Sequence, residues 1–547
     1  MNPMQGLMMD TPLLISSLMR FADANYPDRE IVSVTVDNPN QRYTYHEAFV
    51  RTRKLANALK RLGVAAGDRV GTLAWNDHRH FELYYALSGS GIVCHTINPR
   101  LYPEQVGYIV NHAEDRYLFV DPLVMPLVES LWSVFKGVEG VVVMTDEAHM
   151  PPSQLPNVIC YETLIADESD EFEWPEFNEN TASALCYTSG TTGNPKGVLY
   201  SHRSIVLHAY AGCLPDVLAF SGHDCVLMVV PMFHVNGWGI PYSAVIVGAK
   251  IVMPGPKMAD GEVLHALIEK EQVTIASGVP TIWLALLAYL EQSGNTIDSV
   301  NRVSVGGAAC PRSIIEDFDK KHGVTVHQGW GMTETSPLGT VFKIKPDMGE
   351  MSTEELYDLQ AKQGCGVFGI EMRITDENNQ ALPWDGVAFG TLKVRGPWVA
   401  SNYFRLEAAE SPLDEDGWFD TGDVATIDPY GVMQITDRTK DVIKSGGEWI
   451  SSIDLENAAV DHPKVAEAAV IGRNHPKWTE RPLLIAVTRD GENITKEEML
   501  AWFDGRVASW WKPNDVVFVD ELPHTATGKI NKLALREQFT DYQFPDA

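Results

Sequence analysis

The run YTSGTTGNPKG at 187–197 is entered from apolar Ala184, Leu185 and Cys186 and left through Val198, Leu199 and Tyr200. No other stretch constrains the chain as tightly. Two apolar runs around a Gly/Thr-rich segment predict a strand, a loop and a second strand. Glycines at 190, 193 and 197 let backbone N–H groups turn toward a ligand. Hydroxyls on Thr188, Ser189, Thr191 and Thr192 add donors, and Lys196 adds positive charge. Such a loop can wrap the β- and γ-phosphates of a nucleotide. It is not the P-loop pattern, because Pro195 precedes Lys196 and Gly197 follows it, where that motif needs a Ser or Thr for magnesium and then a helix.

Around this loop, strand-like and helix-like runs alternate: 69–74, 79–87, 92–97, 103–112 and 117–120, then 226–230, 250–253, 261–271 and 273–276. That rhythm predicts an α/β fold of mostly parallel βαβ sheets. Past about residue 365, turn signals such as DENN at 376–379 and DEDG at 414–417 mark a β-rich subdomain. After Asp437 the alternation returns and predicts a small α+β domain. The expected domains are therefore 1–436, a hinge at 437–442 and a mobile C-terminal domain at 443–547. At 547 residues, more than one core is expected.

The chain carries 43 Lys and Arg against 73 Asp and Glu, a net charge of −30. That balance argues against nucleic acid and against docking on anionic lipid. Polyanionic ligands would need local cations. Seven scattered cysteines with no C-x-x-C pair read as reduced thiols of a cytoplasmic protein. The uncharged stretches 226–249 and 273–290 are broken by Pro231, Gly237, Pro241 and Pro280. Each reads as a buried strand followed by a second element, not as a membrane span.

Five further signatures follow the loop in order: GGAA at 306–309, GWGMTE at 329–334, WFDTGD at 418–423, DRTKD at 437–441 and TGK at 527–529. With the loop, this ordered set resembles the adenylate-forming superfamily along the whole chain, and its fatty-acyl-CoA ligase branch in particular. The resemblance implies an ATP-dependent enzyme with Mg2+ and coenzyme A as partners. It would join a carboxylic acid to AMP, then pass the acyl group to the thiol of coenzyme A.

By the same resemblance, ATP would be held by Thr188, Ser189, Gly190, Thr191, Thr192, Gly193, Lys196, Gly307, Ala308, Ala309, Gln328, Gly329, Trp330, Gly331, Met332 and Thr333. Asp423 would accept hydrogen bonds from the ribose hydroxyls, and Arg438 would lie beside them. Thr188 and Glu334 would serve Mg2+, since a carboxylate beside a triphosphate needs a hard cation between them. Trp330 stands where many relatives have Tyr. Lys529 would stabilise charge on the α-phosphate as the carboxylate attacks. Lys440 would be the hinge about which the small domain swings, presenting Lys444, Ser445, Gly446, Gly447, Glu448 and Trp449 to coenzyme A.

The string PMFHVNGW at 231–238 resembles the acyl site of the same branch. His234 would lie near the reacting carboxylate, Trp238 would stand at the aromatic position that gates the acyl tunnel in long-chain members, and Val235, Gly306 and Gly307 would line the acyl path. Without Asp, Arg or Lys in these segments, the acid is expected to have an apolar tail. The N-terminal and 445–454 strings are also similar to methylmercaptopropionate-CoA ligases. A short- to medium-chain fatty acid or 3-methylmercaptopropionate is therefore the expected substrate, with a long-chain ligase, an enzyme loading a carrier protein, or a non-catalytic binding protein as alternatives. A homodimer is expected.

Overall fold

The computed structural model describes residue 4 and residues 6–188, 194–407, 411–445, 448–489, 491–524 and 530–545, with the side chain of Glu448 outside this set. These residues form two compact units. One takes in Met1–Thr188, Lys196–Glu371 and Gly396–Ser411; the other takes in Met372–Arg395 and Pro412–Ala547.

The first unit holds two sheets. One runs Val158–Cys160, Gly140–Val143, Asp115–Val120, Arg69–Leu73, Val93–Thr96, Ala182–Tyr187 and Gly197–Ser201. Every pairing in it is parallel except the last, which closes antiparallel around the phosphate-loop sequence. The other sheet centres on Thr325–Trp330, Arg302–Val305, Ile275–Gly278, Cys225–Met228, Lys250–Met253 and Glu30–Ser33, all parallel. Its side chains alternate between two cores. Val226, Met228 and Ile275 join the core shared with the first sheet, whereas Leu227, Ala276, Val303 and Val305 join a separate one. Both faces are thus covered, as parallel sheets require.

Local sequence explains the helices. Thr44 and Glu47 form a reciprocal capping box that starts Tyr45–Arg61. The helix His78–Gly89 is buried on every side. Its charged residues are matched: Arg79 pairs with Asp37 at 2.6 Å and Glu162 at 2.7 Å, and Glu82 with Arg51 at 2.8 Å. The stretch at 226–249 forms the strand Cys225–Met228, a turn and the helix Ile240–Val247, as the sequence predicts. Among the described residues, no helix is long and apolar enough to cross a membrane.

The second unit combines a four-stranded sheet (Glu371–Thr375, Phe389–Arg395, Phe419–Ile427 and Met433–Arg438) with a five-stranded one. In the latter, Val465–His475 and Thr479–Thr488 form a long antiparallel pair, and Asp515–Phe518 runs parallel to the second of them. Two apolar clusters, around Leu455 and Val470 and around Ile471 and Leu483, cover its faces.

Candidate active site

In the first unit, Tyr187 pairs with Gly197 where the two strands leave the loop. The Thr188 N–H donates to the Lys196 carbonyl at 2.9 Å, and the Lys196 N–H donates to Thr188 Oγ1 at 3.1 Å. The mouth of the loop is therefore closed by the hydroxyl and the lysine assigned to nucleotide. Ser189 to Gly193 lie outside the described residues.

Glu334 follows the strand Thr325–Trp330 and is buried, 6% exposed. Its Oε1 accepts a hydrogen bond from the Tyr403 hydroxyl at 2.7 Å. Its carbonyl accepts from the Ala400 N–H at 2.7 Å, and the neighbouring Thr333 carbonyl accepts from the Tyr200 hydroxyl at 2.6 Å. The Lys196 ammonium lies 4.7 Å above the Tyr403 ring. Trp330 packs on Gly339, where an added Cβ would come within 2.5 Å of the indole. Gln328 is buried and donates to the Ala308 carbonyl at 3.5 Å, while Gly307, Ala308 and Ala309 are exposed. Gly329, Gly331 and Met332 lie on the same strand end and the turn after it.

Thr188 and Glu334, the residues that the resemblance gives to magnesium, carry donors of a type that suits it. A carboxylate and a hydroxyl are hard oxygen ligands, and Mg2+ is commonly bound through one or two carboxylates together with substrate phosphates.

The acyl-site string has a conformation that its residues do not advertise. From Val235 to Gly239 every φ is positive: 45°, 52°, 57°, 55° and 71°. One left-handed turn of this length is strained, above all at β-branched Val235. Its surroundings hold it. Asn76, fully buried, donates to the carbonyls of Met228 and Val230 at 2.7 Å each and accepts from the Met232 N–H at 2.6 Å. Tyr84 donates to the Met232 carbonyl, and Tyr85 to that of Pro241 at 2.9 Å. Gly239 must be glycine, since a Cβ would sit 2.5 Å from the His208 ring. Burial lowers that imidazole to about 4.

The result is that Trp238 lies over Gly306, whose added Cβ would be 2.9 Å from the indole, and near Gly307. His234 is half-buried at the entry to the turn.

In the second unit, Asp423 and Arg438 face each other across two strands. Arg438 Nε is 2.9 Å from Asp423 Oδ1, with the carboxylate buried and the guanidinium half exposed. Asp437 is fixed by the Ser452 hydroxyl at 3.0 Å. Next to it, Arg536 donates to the Lys440 carbonyl at 3.0 Å and pairs with Asp441. These residues, with Arg473 and Glu480, line a cavity of about 350 Å³. The Lys444 ammonium is 3.0 Å from Glu377 and 5.1 Å above the Trp449 ring, and Ser445 accepts from Arg481 at 3.1 Å. Lys529, Gly446, Gly447 and the Glu448 side chain lie outside the described residues.

Sequence reasoning missed Tyr403, Asn76, Tyr200 and His208. None lies in a motif. Tyr403 is 69 residues from Glu334 along the chain, so only the fold makes them neighbours.

Parallel sheets sharing a core, a hydroxyl-rich loop between two strands, and a second unit carrying its own carboxylate–arginine pair are the build of an adenylate-forming enzyme. The family model described as AMP-binding enzyme matches residues 19–404, and that of the AMP-binding enzyme C-terminal domain matches 454–529. The chain is 52% identical to a 3-methylmercaptopropionyl-CoA ligase of Ruegeria lacuscaerulensis, over 98% of this chain and 99% of that one. It is 48% identical to a medium-chain-fatty-acid–CoA ligase of Ectopseudomonas oleovorans, over 98% of each. Its fold resembles the crystal structure of the anthranilate CoA ligase AuaEII in complex with anthranoyl-AMP, at a TM-score of 0.83, 24% identity and coverage of 97% and 98%. The chain belongs to the AMP-binding enzyme family, and it is an AMP-forming acyl-CoA ligase.

Proposed function

We propose that this ligase acts on a short- to medium-chain fatty acid or on 3-methylmercaptopropionate. What supports this reading is the chain's likeness to named relatives, together with an acyl-site string in which the Trp238 indole rests over Gly306. Relatives about half identical over nearly the whole chain act, by name, on 3-methylmercaptopropionyl and medium-chain substrates.

In the first half-reaction, Thr188, Lys196 and the loop between them bind the triphosphate, and Asp423 with Arg438 binds the ribose. Glu334 and Thr188 would hold Mg2+, whose charge would offset that of the phosphates. Lys529 stabilises the negative charge that spreads over the equatorial oxygens as the carboxylate attacks the α-phosphorus and pyrophosphate leaves. In the second, the coenzyme A thiolate attacks the acyl carbonyl and AMP departs. His234 lies beside the reacting carbonyl. The domain 443–547 turns about a hinge at 437–442, centred on Lys440, and brings Lys444–Trp449 to the pantetheine arm. The seven cysteines form no disulfide, which accords with a cytoplasmic protein. The expected homodimer is tested by light scattering in solution.

The experiment is an acid panel from C2 to C16 with aryl and thioether acids, scored by kcat/KM for thioester formation on free coenzyme A. Highest kcat/KM for 3-methylmercaptopropionate or a C4–C8 acid is expected. A maximum at C14–C16, or adenylate formation with no thioester on free coenzyme A, overturns the substrate reading.

A further inference from the structure

The strap Ala400–Phe404 is bound to two different parts of the site. At one end the Ala400 N–H donates to the Glu334 carbonyl at 2.7 Å; at the other the Phe404 N–H donates to the Gly197 carbonyl at 2.8 Å. Between them stands Tyr403, and its side chain makes the same connection again. Its hydroxyl donates to Glu334 Oε1 at 2.7 Å, and its ring face carries the Lys196 ammonium at 4.7 Å. A single aromatic side chain thus touches both the loop lysine and the buried acid, using its polar edge for one and its π-face for the other.

We propose that Tyr403 is a positioning residue for the adenylation half-reaction, aiming the Glu334 carboxylate and holding Lys196 beside the loop mouth. The physical case has two parts. The aim of a buried carboxylate is set by the donors around it, and the phenol hydroxyl fixes the direction of one of its oxygens. A lysine ammonium has three rotatable donors on a long stem, and a cation–π contact keeps it close without satisfying those donors. Incoming phosphate can then take the ammonium with little reorganisation, while the hydroxyl keeps Glu334 aimed. Both partners derive their meaning from the nucleotide-site reading of Lys196 and Glu334, on which this inference rests.

Three variants test it: Tyr403→Phe, Tyr403→Leu and Glu334→Gln. Each is assayed for the Mg2+ dependence of acid-dependent ATP–pyrophosphate exchange, for thioester formation from supplied acyl-adenylate, and for thermal stability. Tyr403→Phe keeps the ring and loses the hydroxyl, so the Mg2+ concentration for half-maximal exchange should rise about tenfold. The second half-reaction and the KM for the acid should stay within about twofold. Tyr403→Leu should add a rise in the KM for ATP, because the seat of Lys196 is gone. An unchanged Mg2+ curve for Tyr403→Phe overturns the inference. So does an equal loss in both half-reactions together with a lowered melting temperature, which is what a purely structural tyrosine would give. If Glu334→Gln shifts the Mg2+ curve and Tyr403→Phe does not, positioning alone fails. If Glu334→Gln leaves the curve unmoved, the reading of the metal acid fails with it.

Discussion

Gly306→Ala is the sharpest perturbation of the acyl site. The new methyl carbon would lie 2.9 Å from the Trp238 indole and 3.4 Å from the Gly329 carbonyl oxygen. Carbon atoms in ordinary contact sit about 3.5–4.0 Å apart, so the indole must retreat by about 0.6–1.1 Å. It cannot do so easily, because Trp238 is fixed on a left-handed turn pinned by Asn76, Tyr84 and Tyr85. Overpacking of this kind costs about 1–3 kcal/mol. Expressed in the acid-bound state, that is about a 5- to 150-fold fall in kcat/KM for the acid, at an unchanged KM for ATP. Trp238→Ala removes the obstacle, so the double variant should perform no worse than Trp238→Ala alone, with a coupling energy near the whole Gly306→Ala penalty. Pyrophosphate exchange at varied acid concentration measures all three. Additive effects of the two substitutions, or a Gly306→Ala enzyme within about twofold of wild type for every acid, would refute the argument.

Other outcomes follow from the same structure. Lys529→Ala should abolish adenylation while sparing thioester formation from supplied acyl-adenylate; equal losses in both would contradict its role. Asp423→Asn leaves the Arg438 guanidinium without its charged partner and weakens ribose binding, so the KM for ATP should rise about 10- to 100-fold; a KM for ATP within about twofold of wild type counts against the ribose assignment. Lys440→Pro should slow the overall reaction more than either isolated half-reaction, and an unchanged rate speaks against domain alternation.

Acid should also destabilise the fold. Burial lowers His80, His202 and His208 to about 4 and His327 to about 3, so between those values and the usual 6.5 the unfolded chain binds more protons. Their stabilisation is present above pH 6.5 and is lost as pH falls toward 4, on the order of 1 kcal/mol for each by pH 5.5. Asp77, raised to about 7, and Asp121, raised to about 6, act in the opposite sense and recover part of it. The histidines, with His78 also lowered by burial, are expected to outweigh these acids, so the melting temperature at pH 5.5 should lie below that at pH 8; a melting temperature that is flat over this range would exclude it.

The sequence by itself determined the α/β alternation, the strand–loop–strand at 184–200 and the chemistry of the loop. Each of these rests on neighbours in the chain: period-2 and period-3.6 apolar patterns, capping pairs such as Thr44 and Glu47, and glycines and hydroxyls within eleven residues. The pairing of Asp423 with Arg438 was half legible, since both lie in recognisable motifs but only strand register sets them opposite each other. Tertiary structure alone decided what joins distant segments. Nothing in PMFHVNGWG announces a left-handed turn, because residues such as Val235 and Trp238 avoid that conformation and adopt it only where contacts from Asn76, Tyr84, Tyr85 and His208 hold it. Nor could local pattern reveal Tyr403. Its place between Lys196 and Glu334 arises from three chain segments meeting over one sheet edge, and such meetings are set by packing, not by spacing along the chain.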